Sequence, residues 1–156
     1  MKTNTNNPEF VYVTYINTTP AKLWTALTDG KFTRQYWGGW TVESDWKVGA
    51  PIVFKPDPTK LAEAGKCSSE GMHGKLLECD PPRVLSYTWD GRKTAEPDSR
   101  VTFRIELKGE AVKLTVTHDQ FQPGSKMHLG VSEGWPPILA NLKTLLETGH
   151  TFVVGK

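Results

Sequence analysis

The sequence is poor in the features that commit a chain to a membrane, a metal or a disulfide framework. It has only two cysteines, Cys67 and Cys79, and their separation fits no zinc or redox motif. No apolar run approaches the roughly 20 residues that span a bilayer, and residues 1–8 lack the basic start and the apolar core of a signal peptide. We therefore predict a cytoplasmic protein with a flexible N-terminus over 1–8 and with no membrane span, metal or cofactor.

An excess of charge of one sign is also lacking. The 19 Lys and Arg residues and the 17 Asp and Glu residues are spread along the chain and leave a net charge of +2. Without a run of Lys or Arg that could follow a phosphate backbone, nucleic acid is not an expected partner. The composition, with 37% hydrophobic and 23% charged residues, is that of a globular protein, and 156 residues suffice for a single domain over 1–156.

Short segments rich in β-branched and aromatic residues alternate with Gly-, Pro- and Asp-containing turns along most of the chain. Two amphipathic segments follow the first predicted strand, and they predict short helices over 21–27 and 32–37. Parallel neighbouring strands need long crossover connections, which are usually helices. Because no helical segment separates the later strands, we predict an antiparallel sheet. Segment 56–71 departs from this alternation of strands and turns and predicts an irregular excursion. The predicted strands are 10–16, 41–44, 52–55, 72–79, 84–89, 100–107 and 112–118.

The last long segment predicts an amphipathic helix. Apolar residues recur at helical spacing over 138–146, and Gly149 supplies a stop. Because Pro136 and Pro137 disrupt a straight helix, we predict that the helix begins or kinks there, after a turn over 127–133. A single amphipathic helix after many strands buries its apolar side against a concave sheet, an arrangement that often encloses a cavity. The predicted class is α+β.

Several passages give the chain a resemblance to a known family. They are Thr19 to Asp29, Tyr36-Trp37-Gly38-Gly39, Pro81 to Trp89, and Thr117-His118-Asp119-Gln120-Phe121 followed by Gly134-Trp135 and the helix. In order and spacing they resemble the START-like (SRPBCC) superfamily with the helix-grip fold, and within it the subfamily similar to the C-terminal domain of the heat-shock-protein ATPase activator. The resemblance implies a curved antiparallel sheet of about six to seven strands around a long C-terminal helix, with two short helices after the first strand.

The same resemblance implies a choice of functions. Superfamily members bind lipids, hormones, polyketides or other apolar molecules under the helix, and some are cyclases or hydrolases. The leading hypothesis is binding of an apolar or aromatic small molecule between sheet and helix. Two alternatives stay open: a co-chaperone-like interaction with a heat-shock ATPase, and a cyclase or hydrolase acting on an aromatic or polyketide substrate. No catalytic residue is predicted; a homodimer is also left open.

A pocket under the helix requires apolar contacts and a few polar groups that orient the ligand. His118 follows the inward phase of its strand, where it could meet a ligand carbonyl or hydroxyl. A hydrogen-bonded core histidine is the competing interpretation, because Asp119 falls on the opposite face of the strand. The aromatic residues likewise fit either a pocket or core packing. The predicted ligand-binding residues are Phe54, Tyr87, Trp89, Phe103, His118 and Trp135, within a wider aromatic set that adds Trp37, Trp40 and Phe121.

Overall fold

The structure, a computed structural model, describes residues 7–57 and 71–152. Residues 1–6 of the predicted flexible N-terminus and residues 58–70 of the predicted excursion, with Cys67, lie outside the described residues. The strands are β1 Phe10–Ile16, β2 Thr41–Ser44, β3 Pro51–Lys55, β4 Met72–Asp80, β5 Val84–Trp89, β6 Ser99–Lys108 and β7 Ala111–Asp119. The helices are α1 Pro20–Thr28, α2 Gly30–Tyr36 and α3 Lys126–Thr148, and a 3₁₀ turn covers Arg92–Thr94.

The strands form one seven-stranded sheet in the order β1-β7-β6-β5-β4-β3-β2. Every hydrogen-bonded pair of neighbours in it is antiparallel. The sheet curves around α3, which confirms the predicted α+β class and helix-grip arrangement. A short helical pair follows β1, as the resemblance implied.

Alternation along the strands decides which side chains enter the core. In β6, Val101, Phe103 and Ile105 are buried, whereas Arg104 and Glu106 are exposed. The same alternation in β7 buries His118 completely, opposite Val101 of β6. Period-two patterning therefore places the one histidine of this strand on the face that meets the helix.

The helical pair α1 and α2 brings two tryptophans to the end of the sheet. Thr19 caps α1 by accepting a hydrogen bond from the amide of Lys22 (3.2 Å), and Asp29 caps α2 by accepting from the amide of Lys31 (2.9 Å). The two helices pack on each other, and α2 also contacts β2 and α3. Because α2 ends at Tyr36, the next turn presents Trp37 and Trp40 toward α3.

The predicted turn over 127–133 is wrong, because α3 begins at Lys126 and includes both prolines. Ser125 caps the helix by accepting from the amide of His128 (2.9 Å). The carboxylate of Glu96 accepts from the amides of Lys126 (2.7 Å) and Met127 (3.2 Å) and from the hydroxyl of Ser125. These partners stabilise a first turn that local sequence pattern does not reveal. The helix ends at Gly149 with φ of 82°, as predicted.

We expect Ser125→Ala to lower the free energy of unfolding by about 1 kcal/mol, because the substitution removes the N-cap of α3. Ser132→Ala is the matched control in the same helix, since the Ser132 hydroxyl bonds only the carbonyl of His128 one turn before it. Urea unfolding followed by circular dichroism measures both. Equal losses for the two variants would contradict the capping role of Ser125.

Candidate ligand-binding site

A cavity of about 310 Å³ lies between α3 and the turn that follows α2. Its size falls within the range of small-molecule sites, which begins at about 300 Å³. The end of β5 closes it on a third side. The lining residues are Trp37, Gly38, Trp40, Trp89, Gly130, Val131, Gly134, Trp135 and Ile138.

Indole rings form most of this cavity wall. The ring centroid of Trp37 lies 5.2 Å from that of Trp135 and 6.3 Å from that of Trp89. Trp89 and Trp135 are themselves 5.5 Å apart, with their planes inclined by 57°. Offset and edge-on contacts at these distances are the favourable geometries for aromatic pairs. Three separate elements therefore hold one another's rings in place.

Glycines in α3 keep the opposite wall open. Gly130 and Gly134 lie one helical turn apart, and a Cβ atom added to either would meet no other atom within 4 Å. Glycine costs a helix about 1 kcal/mol relative to alanine. The space beside these two residues therefore exists because they carry no side chain.

A hydrogen-bonded chain behind the cavity orients Trp135. The indole Nε1–H of Trp135 donates to Nδ1 of His118 (3.0 Å). Because the indole N–H can only donate, Nδ1 accepts and the ring hydrogen of His118 sits on Nε2. Nε2 then donates to the hydroxyl of Ser99 (2.7 Å), which donates to the sulfur of Met127 (3.0 Å). The chain starts and ends on α3 and passes through β7 and β6.

Aromatic rings enclose the same histidine. Phe121 stacks on the His118 ring with centroids 4.7 Å apart, and Trp89 meets it at 5.4 Å. Burial lowers the pKa of His118 from 6.5 to about 3; the charge of Asp119 opposes this change and His128 adds to it. Asp119 points away and forms a two-point ion pair with Arg100. His118 is therefore a neutral hydrogen-bonding group rather than a charge.

The structure divides the predicted ligand-binding residues into two layers. Trp89 and Trp135 line the cavity, together with Trp37 and Trp40 of the wider aromatic set. The second layer lies behind them: Phe54 packs 4.7 Å from Trp37, Phe103 packs 5.8 Å from Trp135, Tyr87 packs against both Phe54 and Phe103, and His118 bonds Trp135. These four side chains support the wall and are not among the residues that line the cavity.

Sequence reasoning missed the contributions of Gly38, Gly130, Val131, Gly134 and Ile138 to the cavity. A signal was present, since two glycines four residues apart are costly in a helix and imply a packing reason. It was hidden because the segment 127–133 reads as a turn. Ile138 fits the apolar stripe of the helix equally well as core or as cavity wall.

Residues 7–57 and 71–152 contain no group of three or more His, Cys, Asp or Glu side chains that could hold a metal ion. Over the same ranges, none of the helices combines the length and the apolarity that crossing a bilayer requires.

A seven-stranded antiparallel sheet closed on one long helix, with an aromatic cavity at one end, defines a helix-grip protein of the START-like class. The family whose model matches residues 17–147 is described as Activator of Hsp90 ATPase homolog 1-like protein. The chain belongs to this family, which confirms the resemblance drawn from its sequence. No curated protein matches the sequence.

Solved structures share this fold at low sequence identity. The Aha1 dimer from Colwellia psychrerythraea is 18% identical, with a TM-score of 0.72 over 91% of this chain and 98% of that one. PFC0360w, an HSP90 activator from Plasmodium falciparum, is 21% identical, with a TM-score of 0.67 over 88% and 95%. CalU16 from Micromonospora echinospora is 20% identical, with a TM-score of 0.69 over 89% and 74%. At sequence identities this low, the comparison shows a shared fold only.

The buried His118 predicts a pH dependence of stability. The folded protein keeps the ring neutral down to a pKa of about 3, whereas in the unfolded chain the ring takes up a proton near 6.5. Between these values only the unfolded state holds the extra proton, so the free energy of unfolding falls by about 1.4 kcal/mol for each pH unit of acidification. Desolvation raises the pKa of Glu96, but hydrogen bonds from Ser125 and the start of α3 lower it on balance, and the hydrogen bond from Lys143 lowers the pKa of Glu147. Both carboxyl groups contribute mainly as the pH falls below their ordinary 4.5.

Urea unfolding between about pH 6.5 and 5 tests this dependence in the wild type and in His118→Gln. The glutamine amide keeps a donor and an acceptor but does not titrate, so we expect the variant to be less stable near neutral pH and to lose this part of the slope. The other histidines are common to both proteins and cancel in the difference. The same slope in both would show that His118 is protonated in the folded protein.

Proposed function

We propose that this protein binds an apolar or aromatic small molecule in the cavity under α3. The observation that carries this proposal is a cavity of about 310 Å³ whose nine lining residues are tryptophans, glycines, a valine and an isoleucine. Apolar walls of this kind favour the transfer of a hydrophobic ligand from water. Trp89 and Trp135 act as direct contacts, and Phe54, Tyr87, Phe103 and His118 act through the rings they support.

The rigidity of the walls adds to this argument. Trp135 is 2% exposed, is held by His118 at 3.0 Å and packs edge-on against Phe103. A ring that is already fixed loses little conformational freedom when a ligand arrives, so less of the binding free energy is lost to ordering. The cavity is therefore preorganised for a flat or compact apolar molecule.

The lining residues favour binding over catalysis. None of the nine, all of them within the described part of the chain, carries an ionisable side chain or a hydroxyl. His118, which supports Trp135 from behind, has both ring nitrogens engaged, by Trp135 and Ser99. A cyclase or hydrolase would need an acid, a base or a nucleophile within reach of the bound substrate.

A cavity-filling substitution tests the proposal directly. In Gly134→Leu the new side chain occupies open space, so we expect the helix to keep or gain stability while binding of 2-methylnaphthalene is lost. Gly134→Ala is the matched control, because it also removes the unfavourable helix propensity of glycine but leaves most of the cavity open. Two-dimensional NMR of the indole N–H groups measures binding. Wild-type affinity in Gly134→Leu would exclude this cavity as the site.

Family membership supports a second candidate, an interaction with a heat-shock ATPase. The matching family is that of Activator of Hsp90 ATPase homolog 1-like proteins, and a structural neighbour from Plasmodium falciparum is named an HSP90 activator. An activator would raise the rate of ATP hydrolysis when added to the purified ATPase. Gly134→Leu separates the two functions, because it fills the cavity and leaves the outer surface unchanged. Absence of any stimulation by the wild type would count against this candidate.

A further inference from the structure

Three of the tryptophans that line the cavity carry indole N–H groups that no described protein group accepts. In the described part of the chain, the indole N–H groups of Trp37, Trp40 and Trp89 bond no acceptor, and Thr18 Oγ1 is the one buried side-chain polar atom without a partner. These three N–H groups therefore reach accessible space. The fourth, that of Trp135, is occupied by His118.

Among the described residues, the side chains that line the cavity have no acceptor to match these donors. An indole ring only donates, and glycine, valine and isoleucine side chains have no polar atom. A ligand that brings an acceptor can bond the free N–H groups. A ligand that brings an ammonium finds no side-chain oxygen among the nine and meets only the faces of the indole rings, where Lys93 already contacts Trp40.

A cationic side chain stands beside the same wall. The ammonium of Lys93 lies 5.7 Å from the ring centroid of Trp40. The carboxylates nearest in sequence are engaged within the described residues: Asp90 by Arg92, Asp98 by the amide of Gly91, and Glu96 by the start of α3. Within the described residues, Lys93 is therefore the cation that contacts the Trp40 ring.

The geometry points to a ligand that combines an apolar aromatic body with an anionic acceptor group such as a carboxylate. The body occupies the space between α3 and the tryptophans, and the carboxylate lies toward Trp40, where indole N–H groups and Lys93 bind it. Hydrogen bonds to an ionised acceptor are stronger than those between neutral groups, so this end decides specificity. The inference rests on the proposed function and adds the chemical class of the ligand.

Three naphthalenes that differ only at one substituent test the inference: 2-naphthoate, 2-methylnaphthalene and 2-naphthylmethylammonium. We expect affinity to decrease in that order, with about tenfold between the anion and the cation at low salt. Titration calorimetry gives the affinities. In NMR spectra, naphthoate should move the indole N–H resonances of Trp40 and its neighbours downfield beyond the shifts that methylnaphthalene causes.

Lys93→Gln tests the cation at the wall. We expect it to narrow the ratio of naphthoate to methylnaphthalene affinity by about threefold, as for one exposed ion pair. Lys108→Gln removes the same charge at the far end of β6 and should leave that ratio unchanged. An equal effect of the two variants would overturn the assignment of Lys93.

The outcomes separate this inference from the function on which it rests. If all three naphthalenes bind equally, the anion preference is overturned and the binding function stands. If none binds, the proposed function fails. If the ammonium binds best, cation–π attraction to the indole rings outweighs the free N–H groups and Lys93, and the anion preference is overturned.

Discussion

One hydrogen bond between the sheet and the helix holds the rest of the site together, from the indole of Trp135 to Nδ1 of His118. It is the first link of a chain that runs through Ser99 and returns to α3 at Met127. A buried polar group left without a partner would cost about 1–3 kcal/mol. Because both ring nitrogens of His118 are engaged, the network fixes the height and rotation of the helix over the sheet.

The cavity also requires the first turn of α3, which Glu96, a residue distant in the sequence, helps to stabilise. Glu96 binds the amides of Lys126 and Met127, where the N-terminal end of the helix dipole favours a negative charge. This extension of the helix carries Gly130 and Gly134 to a position opposite Trp37. The cavity is the space left where a glycine-bearing helix faces a cluster of indole rings.

Much of the fold follows from local pattern. The alternation in β6 and β7 predicts which residues face inward, His118 included, and the turn residues between strands predict an antiparallel sheet. The prediction fails at 127–133 in part because Glu96, which binds the amides of Lys126 and Met127, comes from the connection between β5 and β6. At the site, the aromatic set is visible in the sequence, whereas its division into a lining layer and a supporting layer is not. The role of each as a ligand contact stays a prediction.

The sequence by itself determined the class of the protein, since periodicity and turn chemistry are properties of residues near one another and the family resemblance depends only on the order and spacing of motifs along the chain. It also predicted that His118 faces inward and that a set of aromatic residues forms either a pocket or part of the core. Only the tertiary structure decided that Trp37 and Trp135 meet, that Gly130 and Gly134 face open space, and that three indole N–H groups have no acceptor among residues 7–57 and 71–152. Those facts depend on distances between elements, and such distances are set by the packing of side chains from many segments at once.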